Sequence, residues 1–217
     1  PTVANKQTGL LRLAEATRAA GDVEATIELY RQAITAAPDD PEPQKELGRT
    51  LLSANRLEEA IRVLDKAQDL APSDPELALM LGQAYVAHDK PARALPALEQ
   101  GLNNPGDKES ALLTYKGIAL DMLEQYDQAQ AAYTLALAIA DPENNIAIRN
   151  NLGMSYLMAT RYEDAITVWQ ELMAEGKDNP TIRQNLALAY GLNGEDDNAL
   201  QLGLQDLPET EARENVD

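Results

Sequence analysis

The residues that could perform acid–base, nucleophilic or metal chemistry are few in this chain and are not arranged for it. There is no cysteine and only one histidine, His88, so thiolate chemistry is excluded and a hydrolytic triad has one candidate base. His88 falls at a predicted turn between helices and has no glycine-flanked serine as a partner, so we interpret it as a surface or capping residue. The sequence contains no zinc-protease, phosphate-loop, dinucleotide-binding or EF-hand motif.

Carboxylates that are close in sequence offer no better site. Adjacent acidic pairs occur at Asp39-Asp40, Glu58-Glu59 and Asp196-Asp197. Adjacent positions on a helix point in different directions, so we interpret these pairs as helix caps and solvated faces. Asp121, Glu124 and Asp127 could chelate calcium only weakly, because no glycine shapes a loop around them. The sequence therefore predicts no enzyme, no cofactor and no metal site.

Near the C-terminus the sequence almost repeats itself. RNNLGMSYLMATRYEDAI at 149–166 and RQNLALAYGLNGEDDNAL at 183–200 align with an offset of 34 residues. Asn151 then falls on Asn185, and Tyr156 falls on Tyr190. A fixed period of this size is typical of helix-pair arrays, in which each unit buries its apolar face only by stacking on a neighbour.

The period extends along most of the chain. One helix position that favours a small residue recurs in steps of 34, 34, 35, 36 and 34 residues, at Thr26, Ala60, Ala94, Ala129, Ala165 and Ala199. A capping residue followed by proline marks three helix starts, at Asp40-Pro41, Asp74-Pro75 and Asn179-Pro180. Glycine or asparagine is expected at the tight turn between the two helices of a repeat. Pro96 is expected to bend its helix or shift its start.

The composition agrees with a folded helical chain and limits its partners. The chain is 44% hydrophobic and rich in alanine and leucine, which favour helix. Its formal net charge of −18 argues against nucleic acid or an anionic membrane surface as a direct partner. No apolar run approaches the ~18 residues that span a bilayer.

The spacing of large and small residues across all six segments resembles the tetratricopeptide repeat (TPR) family. The resemblance implies an all-α fold, a right-handed α-solenoid of about six helix-pair repeats. We expect a disordered tail over 1–6, an array over 7–207, and a C-terminal tail or the start of a capping helix over 208–217. The predicted repeats lie near 7–40, 41–74, 75–108, 110–143, 146–179 and 180–207.

In that family the first helix of each repeat lines an inner surface, which gives candidate groove residues. The lining is expected to be ionic in the first two repeats and to become apolar with amide groups toward the C-terminus. Asn151 and Asn185, one repeat apart, are expected to hold an extended peptide by its backbone, or alternatively to brace a turn. The candidate groove residues are Tyr115, Ile118, Asn150, Asn151, Met154, Met158, Gln184, Asn185 and Leu188. Chaperone-tail binding is not predicted, because the asparagine partners of Lys45 and Arg49 are missing.

A narrower resemblance, carried by 150–162, the run at 183–200 and the closing QDL-P, is to TadD-type proteins of tight-adherence (Flp) pilus assembly. It implies a non-catalytic adaptor in the bacterial periplasm, associated with the outer membrane, whose partner is a secretin or another pilus-assembly component. Contact with the membrane would then need a lipid anchor, which 1–217 does not contain. A cytoplasmic TPR regulator or co-chaperone-like module, an accessory part of an enzyme and a homo-oligomer remain alternatives.

Overall fold

The computed structural model describes residues 3–143, 145–206 and 208, with side chains from Lys6 onward. Within these residues the chain is all-α, and the predicted fold class of about six helix pairs is confirmed. The twelve described helices are α1 (Val3–Ala19), α2 (Val23–Ala36), α3 (Pro41–Ser53), α4 (Leu57–Leu70), α5 (Pro75–Ala87), α6 (Pro91–Leu102), α7 (Glu109–Met122), α8 (Tyr126–Ile139), α9 (Ile146–Met158), α10 (Tyr162–Ala174), α11 (Pro180–Leu192) and α12 (Asp196–Asp206). A short 3-10 turn, Gly106–Lys108, precedes α7.

The chain forms two compact units, residues 1–119 and 120–217, and the boundary falls inside α7. In the first unit, successive helices from α1 to α6 pack against one another in order. In the second unit the same is true from α8 to α12. Helix α1 begins at Val3, inside the segment 1–6 that the sequence analysis assigned to a tail, because no proline or glycine interrupts the helix there. The predicted tail over 208–217 lies, apart from Pro208, outside the described residues.

The predicted cap-and-proline helix starts are confirmed. The Asp40 carboxylate accepts a hydrogen bond from the Glu42 amide at 3.0 Å, and Asp74 accepts one from Glu76 at 2.8 Å. Asn179 caps α11 by accepting from the Ile182 amide at 3.1 Å. In each case proline occupies the first turn, where its missing N–H leaves no bond unmade.

One residue in each repeat adopts a left-handed backbone conformation at the turn between the two helices. These residues are Gly21, Asn55, Asp89, Glu124, Thr160 and Gly194, with φ between 55° and 82°. Glycine and asparagine were predicted at this position, and Gly21, Asn55 and Gly194 confirm it. The other three residues adopt a backbone conformation that is unfavourable for a residue with a Cβ atom, so the turn is imposed by packing of the helices it joins.

Small residues allow the two helices of a repeat to approach closely, as predicted. A Cβ atom added at Gly48 or Gly82 would overlap Leu64 or Leu98 respectively. At Gly153 the added atom would lie 2.8 Å from the indole ring of Trp169. Trp169 is fully buried and centres the core of the second unit. Pro96 lies inside α6, which nevertheless starts at Pro91, so the predicted shift in its start does not occur.

Candidate functional site

The first helices of the first unit carry an ion-pair network, as the predicted ionic lining requires. The Lys45 ammonium lies 2.9 Å from Glu42, 3.3 Å from Asp74 and 3.6 Å from Glu76. The Arg49 guanidinium lies 2.9 Å from Glu76. These contacts join α3 to α5, so the charges of this surface are largely directed at one another.

The pKa values of this network reflect the mutual pairing. Burial would lower the pKa of Lys45, but the hydrogen bond to Glu42 and the charge of Asp74 outweigh it and raise that pKa. The hydrogen bond from Arg49 lowers the pKa of Glu76. A basic or acidic partner segment would therefore have to break existing pairs to bind here, and we do not place the binding site on this surface.

In the second unit, the first helices α9 and α11 contact each other and present a different surface. We call it the α9–α11 face and define it by Asn151, Met154 and Met158 on α9 and Gln184, Asn185, Leu188 and Leu192 on α11. Three pairs in this set, 151/185, 154/188 and 158/192, are one 34-residue period apart. Spacings of three and four residues place each set along one side of its helix. Met158, Leu188 and Leu192 are 41%, 47% and 48% exposed.

The α9–α11 face carries no free charge. Helices α9 and α11 contain no acidic residue, in a chain that has 36 of them. Their only cations, Arg149 and Arg183, are mostly buried and paired: Arg149 lies 2.7 Å from Glu175, and Arg183 lies 2.7 Å from Asp178. Arg183 also binds Asp206, and that hydrogen bond raises the pKa of Arg183. The face is therefore neutral, with apolar and amide groups available to a ligand.

A hydrogen-bonded chain fixes the amide groups of this face. The Trp169 indole nitrogen donates to Asn150 Oδ1 at 3.0 Å, and Asn185 Nδ2 donates to the same oxygen at 2.8 Å. An indole N–H can only donate, so the orientation of Asn150 is determined, and with it that of Asn185. Asn185 uses its Nδ2 group as the donor in this hydrogen bond, which leaves its Oδ1 as an acceptor.

The structure therefore gives the two predicted peptide-holding asparagines different roles. Asn185 is hydrogen-bonded within the protein, whereas Asn151 makes no side-chain hydrogen bond to any described residue. The bracing partner of Asn185 is Asn150 rather than its repeat equivalent, Asn151. Gln184 is exposed and Met154 is half-buried against the Trp169 core.

The two remaining candidates belong to the first unit. Tyr115 and Ile118 lie on α7 and are both half-buried. Tyr115 packs against the core of that unit. Neither residue is part of the α9–α11 face as defined here.

The second unit contains a buried carboxylate with two hydroxyl donors, which the sequence did not predict. Asp121 is 9% exposed and accepts hydrogen bonds from the Tyr133 hydroxyl at 2.8 Å and the Ser155 hydroxyl at 2.6 Å. Burial raises the pKa of Asp121, while the two hydroxyl donors oppose that rise. In the sequence Asp121 was interpreted as a weak calcium ligand at most, but its hydrogen bonds instead join α7, α8 and α9. Its two donors are distant in sequence, so no local motif marks them.

Other chemistry-bearing residues have structural positions. His88 follows α5 as its C-terminal cap, with Nε2 3.8 Å from Glu58. Within the described part of the chain, no three histidine, aspartate or glutamate side chains come together as a group able to hold a metal ion. None of the described helices is long and apolar enough to cross a bilayer.

Helix pairs that stack in sequence order, with the first helix of each pair contributing to a common surface, define a helical repeat protein. Comparison with known families identifies the type of repeat. Two family models, both described as tetratricopeptide repeat, match residues 17–84 and 79–145 and together span more than half of the chain. The chain belongs to the tetratricopeptide repeat family. Comparison with curated protein sequences gives no match.

Solved structures agree with this assignment. PilW, described as a widely conserved type IV pilus biogenesis factor, is 16% identical with a TM-score of 0.80, and the match covers 97% of each chain. MamA from Desulfovibrio magneticus RS-1 is 20% identical with a TM-score of 0.73, covering 81% of this chain and 97% of that one. YrrB, a TPR protein with an unusual peptide-binding site, is 23% identical with a TM-score of 0.63, covering 81% and 89%. Because all three identities are below 25%, these similarities show the fold alone. The family assignment supports a protein–protein interaction scaffold with protein partners in general.

Proposed function

We propose that this chain is a non-catalytic adaptor that holds a partner segment against the α9–α11 face during assembly of a Flp or type IV-like pilus or secretion apparatus. The observation that carries the proposal is the neutrality of that face in a chain with a net charge of −18. Exposed Met158, Leu188 and Leu192 offer apolar contact area on helices whose cations are already paired. A surface of this kind selects a partner by shape and hydrogen bonding rather than by charge.

The chemistry of the face suits an extended segment with apolar side chains. The Asn151 and Gln184 side-chain amides can each donate to and accept from a peptide backbone. Asn185 adds an acceptor oxygen whose direction is fixed through Asn150 and Trp169. Methionine side chains adapt to different apolar partners, so Met154 and Met158 would tolerate variation in the bound sequence.

The assignment to pilus assembly rests on two resemblances. One is to PilW over nearly the whole of both chains, and the other is the sequence resemblance to TadD-type proteins. In this proposal the partner is a pilus-assembly component, with the secretin as the first candidate. The site of action is the periplasmic side of the outer membrane.

Peptide binding tests the face directly. Overlapping peptides that cover a secretin and a pilin of a Flp or type IV-like pilus, together with unrelated peptides of similar composition, would be measured by fluorescence anisotropy. We expect a bound peptide to lose at least about tenfold in affinity when Leu188 and Leu192 both become aspartate, because two anchors would be replaced by charges. Changing Leu135 and Ile139 to aspartate is the matched control, because these residues are also four apart on one helix, α8, and similarly exposed.

The outcomes separate the two parts of the proposal. Equal affinity for the wild type and the Leu188/Leu192 variant, or no binding by any peptide, would overturn the binding face. Binding only by peptides unrelated to pilus components would keep the face and overturn the pilus assignment. The emission of Trp169, the single tryptophan, would verify that each variant is folded.

A further inference from the structure

The first repeat differs from four of the other five in the exposure of one leucine; in the fourth repeat this position is Lys116. Leu13 is 54% exposed, whereas its repeat equivalents Leu47, Leu81, Leu152 and Leu186 are between 2% and 8% exposed. Each buried equivalent lies on a first helix that packs against the second helix of the preceding repeat. These pairs are α2 with α3, α4 with α5, α8 with α9, and α10 with α11. Among the described residues α1 has no such helix on that side. We call this surface, marked by Leu13 and by Val23 at the start of α2, the N-terminal edge.

Within the part of the chain that the structure describes, the last repeat has a corresponding uncovered surface. Leu200 and Gly203 on α12 are half-exposed, whereas their equivalents Ile166 and Trp169 on α10 are buried. Leu204, one residue further along, is 46% exposed. We call this surface of α12 the C-terminal edge. Both edges are continuations of the interface that joins neighbouring repeats inside the chain.

The internal interfaces show which residues would meet if one edge covered the other. At the boundary of the first two repeats, Arg31 on α2 contacts Glu59 on α4 at 2.9 Å. At the next boundary Asp65 contacts Arg93 at 3.5 Å through the same two repeat positions. At a boundary between α12 of one copy and α2 of another, those positions are Leu204 and Ala25.

That alignment brings apolar groups together. Val23, which is 42% exposed, lies two residues before Ala25 at the start of α2. Leu204 would therefore meet Ala25, and Val23 adds a further exposed apolar side chain at the same end of α2. Burial of this area on both sides would favour association.

We propose that copies of this chain stack head to tail, the C-terminal edge of one copy covering the N-terminal edge of the next. The charges of the terminal helices favour this arrangement over a symmetric one. Helix α1 carries three basic residues and one acidic residue, while α12 carries three acidic residues and no basic residue. Two like edges would repel, and unlike edges attract. A head-to-tail contact joins two different surfaces, so each added copy leaves one edge free for the next and oligomers grow with concentration.

One pair of positions works against the contact and provides a sharp test. Arg56 on the second repeat binds Glu24 on the first at 2.9 Å. The same two positions at the junction between copies are Asp22 and Asp197, which are both acidic. Changing Asp197 to lysine would convert this repulsion into an ion pair, so we expect the Asp197→Lys variant to associate more tightly than the wild type.

Sedimentation velocity over a range of protein concentrations would test the proposal, at about 0.3 M salt so that the net charge of each copy is screened. We expect the mean mass of the wild type to rise with concentration, while Leu13→Asp and Leu204→Asp weaken association at least about tenfold. Leu135→Asp, on α8 and away from both edges, should behave as the wild type.

Mixing the two edge variants is decisive. Leu13→Asp keeps an intact C-terminal edge, and Leu204→Asp keeps an intact N-terminal edge. An equimolar mixture should therefore form a dimer and nothing larger. A wild type that stays monomeric up to about 1 mM, a mixture that forms no dimer, or disruption by Leu135→Asp instead would overturn the proposal. Peptide binding to the α9–α11 face, measured on dilute protein, is independent of either result.

Discussion

Replacing Asn150 with alanine tests the hydrogen-bonded chain that orders the α9–α11 face. The substitution removes the only acceptor of the Trp169 indole N–H, on a side chain that is fully buried. A buried donor left without a partner costs about 1–3 kcal/mol, and the hydrogen bond from Asn185 is lost as well. We therefore expect Asn150→Ala to reduce the free energy of unfolding by about 2–3 kcal/mol.

Urea unfolding followed by Trp169 fluorescence would measure this loss, because the single tryptophan reports on the second unit directly. With an m-value of about 2 kcal/mol/M, the expected loss lowers the midpoint by roughly 1 M. Asn151→Ala is the matched control, since Asn151 is the adjacent residue and has no hydrogen bond to a described side chain. Its midpoint should change by less than ~0.3 M, as for an ordinary surface substitution.

Asn185→Ala provides an intermediate case. It removes one neutral hydrogen bond and leaves Trp169 paired with Asn150, so a loss of about 1 kcal/mol is expected. Equal midpoints for the Asn150 and Asn151 variants would refute the reasoning, because the indole donor would then not depend on Asn150. An Asn185 variant as unstable as the Asn150 variant would show that the indole contact is not the larger contribution.

Two further substitutions follow from the backbone and from a buried acid. Thr160 has φ of 59°, so Thr160→Gly should stabilise the protein by about 1 kcal/mol in the same urea assay, and the reciprocal Gly194→Thr should destabilise it; no gain at Thr160 would mean that the turn is unstrained. The raised pKa of Asp121 means that the folded protein favours the protonated form of this side chain. Its contribution to stability is therefore fully present below the ordinary pKa of 3.8, and it is lost as the pH rises through the pKa of Asp121 in the folded protein. The stability of Asp121→Asn relative to the wild type should therefore increase from pH 4 to pH 7; a difference that is constant or falls with pH would contradict the assignment.

The repeat period was sufficient to predict the helix pairs and their turns. A small residue at each close approach and a left-handed residue at each turn recur with the same spacing, because each repeat solves the same packing problem. At Asp89, Glu124 and Thr160 residue type alone would not indicate a left-handed turn. Only their place in the period identifies them.

The hydrogen bonds of the candidate site were not predictable in the same way. Alignment pairs Asn151 with Asn185, yet the bond runs from Asn185 to Asn150, one residue off the repeat register. That shift depends on how α9 and α11 pack and on the demand of the Trp169 indole for an acceptor. Likewise, burial of Asp121 depends on hydroxyl groups from two other helices. Side-chain partners of this kind come from tertiary geometry, which a one-dimensional period does not encode.

The distribution of charge along the repeats explains why the α9–α11 face can be neutral in so acidic a chain. Counted over the helix bounds, the six first helices carry a net formal charge of +2, and the six second helices carry −10. The acidic surplus therefore lies on the second helices and on residues outside the helices. It can keep the protein soluble and repel nucleic acid or anionic lipid without placing charge where a peptide would bind. Recognition of a partner by the α9–α11 face must then depend on apolar contacts and on amide groups held in fixed orientations. The Leu188/Leu192 variant removes the apolar contacts, and the Asn150 variant removes the hydrogen bonds that fix the amides.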